Sequence, residues 1–550
     1  MRSAQSLQGG RRDWTSPARS CYNSAMKKLP RTGCSGSVPA SPESDVSSKV
    51  QLCPNPLVKF LEKHPKEFTV DDIIAFIAES KIQMLDFHYT GGDGRIKTLT
   101  FVVSGEEQLR QLLLSGERVD GSSLFPFMES GASDLYVVPK FRTAFINPFG
   151  DIPTLGMFCR YFDKDGNPLE MSPENILIRA HANLVNKTGY SMHAMGELEY
   201  YVISKREALF EAVDQKGYHE SAPFTKWEHL RKEAMLNIAR MGGTLKYGHS
   251  EVGNFSDEYY NYEQNEIEFL PTDVEEAAEQ LVLGKWILRS LAHKYGVSLS
   301  FAPKITVGKA GSGLHIHMKL LKDGVSVTGD ENGLSDVSRR AIAGIMDLAA
   351  SLTAFGNTVP TSYLRLVPHQ EAPTNICWGD RNRSVLVRVP LGWTGAASQM
   401  TVIANPGSEA AKLNTNEKQT FEFRCPDGSA DTYLLLAGLV TAVTHGLTDN
   451  DALQKAKDTY VNVNIFHEEH QSVAKRLKQL PMCCADSATA LEKQKEIYLD
   501  SGVFPQRVLD SLVKKLRGYE DSGLSERLFA LPDEQRVAAI GDLVQKYLNC

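Results

Sequence analysis

Apolar and polar residues alternate with a period of two along four short stretches of the chain. In GELEYYVI, Glu197 and Glu199 fall on one face of an extended segment, and Leu198, Tyr200 and Val202 on the other. QNEIEF repeats the pattern with Glu266 and Glu268 around Ile267. LHIHMK places His315 and His317 opposite Leu314, Ile316 and Met318, and FEFRC places Glu422 and Arg424 opposite Phe421, Phe423 and Cys425. Each stretch predicts a strand that packs its apolar face on a core and presents two polar groups on the other face. A single pair is ordinary on a solvated strand; four of them predict one shared site.

Other periods fill the space between these strands. PNPLVKFLEKHP predicts a short helix and TVDDIIAFIAESK a second, capped by Thr69 or Asp71. IQMLDFHYTGGDGRIKTLTFVV holds two β-rich runs around GGDG, a hairpin signal, followed by the helical GEEQLRQLLLSG and the strand DLYVVP. Further on, PENILIRAHANLVNKTG, VEEAAEQLVLGKWILRSLAHKYG, SDVSRRAIAGIMDLAASLTAFGN and ADTYLLLAGLVTAVTHGL have helical spacing, with Thr272 and Glu275 placed as a capping box for the second of them. SLSFAPK predicts a strand, and beyond residue 448 the chain reads as a charged, helical cap. A disordered extension over 1–53, a small α/β module over 54–165 and a larger α+β domain over 166–550 follow.

Composition narrows the class. The 550 residues are 42% hydrophobic and 23% charged, values of a globular protein, and no apolar run approaches the roughly 18 residues that a membrane span requires. A net charge of −7 with both signs well mixed leaves no electrostatic footprint for nucleic acid. Nine scattered cysteines without a CxxC pair favour neither a disulfide framework nor a zinc site, so a reducing, cytoplasmic setting is expected. The first 40 residues carry Asp13 among seven basic residues. That composition is shared with organelle transit peptides, but no amphipathic arginine helix accompanies it, and a disordered tail or a start at Met26 accounts for it as well.

The polar faces carry the chemistry. Glu197, Glu199, Glu251, Glu266 and Glu422 with His315 form an oxygen-rich donor set suited to hard divalent cations, Mg²⁺ or Mn²⁺. Without cations, five converging carboxylates would raise one another's pKa. Arg381, Arg383 and Arg388 in WGDRNRSVLVRVP and Arg365 in SYLRLVPHQEAP add groups that bind phosphates and carboxylates through paired hydrogen bonds. The glycines of GSG, ahead of His315, allow the backbone to approach a ligand closely. Cations beside arginines point to phosphoryl transfer.

The strings VDGSSLFPF, ASDLYVVP, GELEYYVI, HSEV, QNEIEF, GSGLHIHMKL, RLVPHQEAPTN, WGDRNRSVLVRVP and FEFRCPDGSADTYL stand in the order found in glutamine synthetases. Over roughly residues 55–480 the chain resembles that family, and most of all its bacterial type I class. The resemblance implies a β-grasp N-terminal domain and a catalytic domain whose antiparallel sheet forms an active-site funnel surrounded by helices. It implies a homo-oligomer, commonly a dodecamer, with active sites shared between subunits.

By motif, the resemblance assigns Glu199, Glu251 and Glu266 to one metal and Glu197, His315 and Glu422 to another, within a complement of two or three Mg²⁺ or Mn²⁺. His317, Arg383 and Arg388 would meet the phosphates of ATP, Arg365 and Arg424 the amino acid and the transferring phosphoryl group, and Gly311 the substrate backbone. Asp120 of a neighbouring subunit would bind ammonium and take its proton, and Glu371 would close over a γ-glutamyl phosphate formed from glutamate and ATP. Departures from the family pattern touch the substrate end: Ala310 replaces an Asn, NTVPTSYLRL replaces NPTVNSYKRL, Lys319 replaces a Ser, Asp431 and Thr432 replace Asn and Pro, and GNFSDEYYNYEQ is lengthened. Three functions therefore stand open: a glutamine synthetase, a ligase joining glutamate to a larger amine, and a non-catalytic relative, which should have lost ligands that this chain keeps.

Overall fold

The computed structural model describes residues 52–129, 133–331, 333–368, 372–392, 399–410 and 416–550. The extension expected over 1–53 lies almost wholly outside the described residues, and so does Glu371. Helix α1 (Pro56–Leu61) starts at Asn55, whose side chain accepts from the N–H groups of Leu57 and Val58. For α2 (Val70–Glu79), the side chains of Thr69 and Asp72 each accept from the other's backbone N–H, so Thr69 is the cap.

The GGDG turn joins β1 (Met84–Thr90) to β2 (Ile96–Val102) as an antiparallel hairpin. After α3 (Glu106–Ser115) come β3 (Glu117–Asp120), β4 (Asp134–Pro139), the short β5 (Phe145–Ile146) and β6 (Thr154–Phe162). The strands run in the order β2-β1-β6-β4-β3 with β5 on β6, and β1 lies parallel to β6. Ile73 and Phe76 of α2 and Leu109 and Leu113 of α3 close over Leu85, Phe87, Leu155 and Met157 as the core of this module.

His88 of β1 is buried in an aromatic pocket, stacked on Phe145 at 5.4 Å and 5.8 Å from Trp286 of the second module. Nδ1 pairs with Thr98 Oγ1 at 3.0 Å, and Nε2 has no partner. Burial pushes the imidazole pKa down to about 4, against a smaller opposing pull from Asp86. Between pH 6.5 and 4 the unfolded chain therefore binds a proton that the folded chain refuses, and stability falls as pH falls across that window. The loss should reach on the order of 3 kcal/mol. His88→Phe should flatten urea-unfolding midpoints between pH 6.5 and 4, and an unchanged slope would refute this account.

The larger module follows α4 (Pro173–Thr188) with β7 (Ser191–Lys205), α5 (Glu228–Arg240), β8 (Leu245–Ser250), β9 (Phe255–Ser256), β10 (Tyr260–Phe269) and β11 (Thr272–Asp273). Next come α6 (Val274–Tyr295), β12 (Ser298–Ser300), β13 (Leu314–Lys322), β14 (Val325–Ser326) and the ribbon β15 (Gly329–Asp330) with β16 (Gly333–Leu334). Helices α7 (Asp336–Gly356) and α8 (Ser362–Arg365) precede β17 (Trp378–Asp380), β18 (Val387–Val389) and β19 (Phe421–Phe423), and α9 (Thr432–Thr448) follows. The sheet runs β17-β18-β19-β13-β7-β10-β8, with β11 and β12 also on β7, β9 on β10 and β14 on β13. All of these pairings are antiparallel except β17 with β18.

One face of that sheet packs Leu198, Tyr200, Ile267, Leu314, Ile316, Phe421 and Phe423 into a large core shared with α4, α6, α7 and α9. The alternation in the sequence thus separates core from site. The end of α6 differs from the expected Thr272 and Glu275 box. Thr272 and Asp273 pair with β7, so the helix begins one residue later, with Asp273 accepting from Glu275 N–H. Thr272 Oγ1 instead donates to Glu276 at 2.6 Å. The C-terminal stretch is helical as expected, through α10 (Cys484–Lys493), α11 (Gln506–Arg517) and α12 (Asp533–Tyr547).

Helices α7 and α9 touch backbone to backbone at Gly344 and Gly446. A Cβ on Gly344 would lie 2.0 Å from Ala442 O and 2.5 Å from Gly446 N. Neither neighbour can turn aside, because both are main chain. Gly344→Ala should cost about 3 kcal/mol by overpacking, read as a lowered urea midpoint; an unaltered midpoint would show that the helices can part.

Candidate functional site: an acidic funnel rimmed by arginines

Strands β7, β10 and β13 lie side by side, with Glu266 opposite Glu199, Glu268 opposite Glu197 and His315 opposite Glu197 in register. Glu422 of β19 sits opposite His317. The polar faces of four strands therefore open on one cavity of about 640 Å³, lined by Glu197, Glu199, Glu251, Glu266, Glu268, Glu422, His249, His315 and His317, and by Arg365, Arg383, Arg388 and Arg424.

Among the described residues three donor groups are close enough to share a cation, each set offering atoms within 4.8 Å of one another: Glu197, His315 and Glu422; His249, Glu251 and Glu266; and Glu197, Glu268 and His317. The first set is the one expected for the second metal. In the other expected set, His249 stands where Glu199 was anticipated, 3.7 Å from both Glu251 and Glu266. Glu199 turns instead toward Gly313 N–H at 2.8 Å and Gln264 Nε2 at 3.1 Å.

The electrostatics fit a cation. Burial, followed by the charges of Glu197, Glu199, Glu251 and Glu268, pushes the Glu266 carboxyl well above its ordinary value. Burial would also raise Glu197, but His317 and His315 hold it well below the carboxylate range. Glu268 lines the cavity, is 1% exposed, and its Oε2 has no hydrogen-bond partner. A buried carboxylate oxygen without a donor is costly, and a divalent cation would satisfy it. Carboxylate-rich sets with one imidazole suit Mg²⁺ or Mn²⁺.

The basic residues line the same cavity. Arg388 Nη1 meets Glu422 Oε2 at 2.9 Å, and Arg424 Nε meets Glu422 Oε1 at 3.1 Å. Arg424 also donates to the carbonyl of Arg383, whose side chain is exposed at the rim. Arg365 is 3% exposed and faces protein acceptors, Cys425 O at 2.8 Å and His315 Nε2 at 3.2 Å. The space left by Gly313 admits this guanidinium, since a Cβ there would lie 2.5 Å from Arg365 Nη2. That glycine makes room for an arginine rather than for a ligand. Gly311 lines the cavity, and its carbonyl accepts from Gln264. Arg381 does not line the cavity: it sits in a left-handed turn after β17.

Asp120 lies apart from the cavity of its own chain, exposed at the end of β3. Ser123 and Ser122 donate to it at 2.6 and 2.8 Å and hold its carboxyl well below the ordinary range. Two further lining residues, His249 and Glu268, fall in the donor groups but were not among the expected metal-binding residues. Glu268 stands two after Glu266 in EIE on the same face of β10, and His249, near the end of β8, stands two before Glu251, which lies just past that strand.

Fold and site together place carboxylates, imidazoles and guanidiniums around one cavity on the polar face of a large sheet. Family models narrow the class: the glutamine synthetase catalytic domain matches residues 170–522 and the glutamine synthetase β-grasp domain residues 81–164. The chain belongs to the glutamine synthetase family. It is 30% identical to a glutamine synthetase of Clostridium saccharobutylicum over 415 residues, covering 74% of this chain and 85% of that one. It is also 30% identical to those of Mycolicibacterium smegmatis, covering 82% and 96%, and Pyrococcus furiosus, covering 76% and 87%.

Among solved structures, a GmaS–ADP complex superposes with a TM-score of 0.66 at 18% identity, covering 85% of this chain and 98% of that one. A Plasmodium falciparum glutamine synthetase also superposes at 0.66 and 18% identity, covering 83% and 97%. These two matches speak for the fold, a β-grasp module followed by a large catalytic domain. Among the described residues no helix is long and apolar enough to cross a membrane.

Proposed function

We propose that this protein ligates ammonia to the side-chain carboxylate of L-glutamate at the expense of ATP, giving L-glutamine, ADP and phosphate. The observation that supports this reading is one cavity lined by seven glutamates, three histidines and four arginines. A carboxylate is a poor acyl donor; transfer of the γ-phosphoryl group of ATP turns it into an acyl phosphate that an amine can attack. Bound Mg²⁺ or Mn²⁺ would neutralise the phosphates and the charge that develops in transfer.

The chain's own groups take the remaining tasks. Glu197, His315 and Glu422 would hold one cation, and Glu251 and Glu266 with His249 or Glu199 another. Arg383 and Arg388, with His317, would orient the phosphates, while Arg424, braced by Glu422, would meet the transferring group. Arg365 would fix the ring of His315 and close the amino-acid end near Gly311. Asp120 of a neighbouring subunit would receive the ammonium proton, with Glu371 shielding the acyl phosphate from water. Active sites completed across subunits make a homo-oligomer part of the reading, and a cytoplasmic setting goes with it.

The test is phosphate release from ATP by the purified chain with Mg²⁺ and glutamate, comparing ammonium, a panel of small alkylamines and no amine. Ammonium-dependent release with glutamine as product is expected. Release only with an organic amine would move the protein to γ-glutamylamide synthesis, and no release with any nucleophile would end the ligase reading.

A further inference from the structure

Lys246 and Glu268 form a pair in the funnel that the proposed reaction leaves unused. Lys246 stands on β8, next to Tyr247, the register partner of Glu268 on β10. Its Nζ meets Glu268 Oε1 at 2.7 Å, and the ammonium also lies 4.8 Å from the centre of the Tyr247 ring. The two ends of this ion pair differ in environment. Glu268 is 1% exposed, whereas Lys246 is 43% exposed along its side chain. The carboxylate is fixed in the wall; the ammonium arrives from the cavity mouth on a flexible stem.

Glu268 belongs to the third donor group, with Glu197 and His317. Inside that group His317 Nε2 already pairs with Glu197 Oε1 at 2.8 Å, and Thr420 Oγ1 fixes the other ring nitrogen at 2.9 Å. Within that group the buried Oε2 of Glu268 has no hydrogen-bond partner, and Glu268 lines the cavity. The group thus has the donors for a cation and holds a cation-like head, the Lys246 ammonium, on one of them. An ammonium supplies a positive charge and three donors but cannot bridge three ligand atoms as a divalent ion does.

We propose that Lys246 is a tethered competitor for divalent cation at the Glu197, Glu268 and His317 group. A cation bound there displaces the ammonium from Glu268, and the freed ammonium swings to the cavity mouth, where an anionic ligand would meet it. Occupancy of this position is therefore set by the chain's own lysine as well as by the metal concentration. The inference rests on reading the funnel as a divalent-cation site, and it is independent of which amine the enzyme uses.

Mn²⁺ binding to the full-length protein, followed by electron paramagnetic resonance of the free ion and by calorimetry, tests it without any turnover. In Lys246→Met, one class of Mn²⁺ sites should tighten by about tenfold or more, because a unit positive charge within a few ångströms of the ion has gone. Glu268→Gln should abolish that class. Lys246→Arg, which keeps the charge, should resemble the wild type. Glu251→Gln serves as the separate check on the funnel: if it leaves Mn²⁺ binding intact, the cation reading itself fails. If Glu251→Gln weakens binding while Lys246→Met binds Mn²⁺ as the wild type does, the tethered-competitor inference alone is overturned. A Lys246→Met protein that melts earlier with unchanged Mn²⁺ affinity would likewise assign the lysine a purely structural part.

Discussion

Glu422→Gln should lower kcat/KM for amine-dependent phosphate release by on the order of 100- to 1000-fold, the scale seen when one preorganised charge is removed from an electrostatic site. Glu422 is 2% exposed and touches both halves of the funnel. Its Oε1 lies 3.4 Å from His315 Nδ1 and 3.1 Å from Arg424 Nε, and its Oε2 lies 2.9 Å from Arg388 Nη1. Burial and the charge of Glu197 work against ionisation, but Arg424, His317 and His315 outweigh them and keep the carboxyl below its ordinary value. The amide keeps the size and one acceptor, so the fold should persist while a metal ligand and the anchor of two arginines are lost. Mn²⁺ titration of the same variant should show weakened binding. Wild-type turnover together with wild-type Mn²⁺ affinity would remove Glu422 from the site.

Glu279→Ala should destabilise the protein by about 3 kcal/mol, the lower end of what stranding a buried charge costs. Glu279, 7% exposed on α6, pairs with Lys140 and bidentately with Arg142 at 2.7 and 2.9 Å. Both basic residues follow β4 in the first module, so the network fastens one module to the other. Glu275 supports the same cluster, at 2.9 Å from Lys140 and 3.1 Å from Arg160, which moderates the loss. Burial opposes the Glu275 charge, but Lys140 and Arg142 hold its pKa down to about 2. Its contribution is therefore complete above the unfolded value near 4.3 and disappears as pH falls toward 2. Urea unfolding at pH 7 with and without the substitution measures the first effect. A midpoint shift no larger than that of an exposed ion pair would show that the cluster is a surface feature.

What the sequence made legible were the period-two stretches. Leu198, Ile267, Ile316 and Phe423 had to face a core, and that alone turned Glu197, Glu266, His317 and Glu422 to the other side. Strand order was not legible, because register between β7, β10, β13 and β19 depends on long-range pairing that no local pattern encodes. The partners of single side chains were less legible still. The sequence did not show that Gln264 and Gly313 N–H both donate to one oxygen of Glu199, or that Arg365 fills the space beside Gly313. The start of α6 moved by one residue because a strand pairing at Thr272 and Asp273 prevailed over the local capping signal.

The carboxylates of the funnel are spread from Glu197 to Glu422, with Glu422 on β19, the last strand of the sheet in chain order among the described residues. During synthesis, β7 and β10 leave the ribosome well before β19, and the carboxylates they carry meet without Glu422 or the arginine that follows it. A cation held by the Glu197, His315 and Glu422 group, the one of the three donor groups that needs β19, would stabilise only chains translated past that point. The metal would then act as a check on completeness, favouring full-length product over truncated chains before any substrate is met.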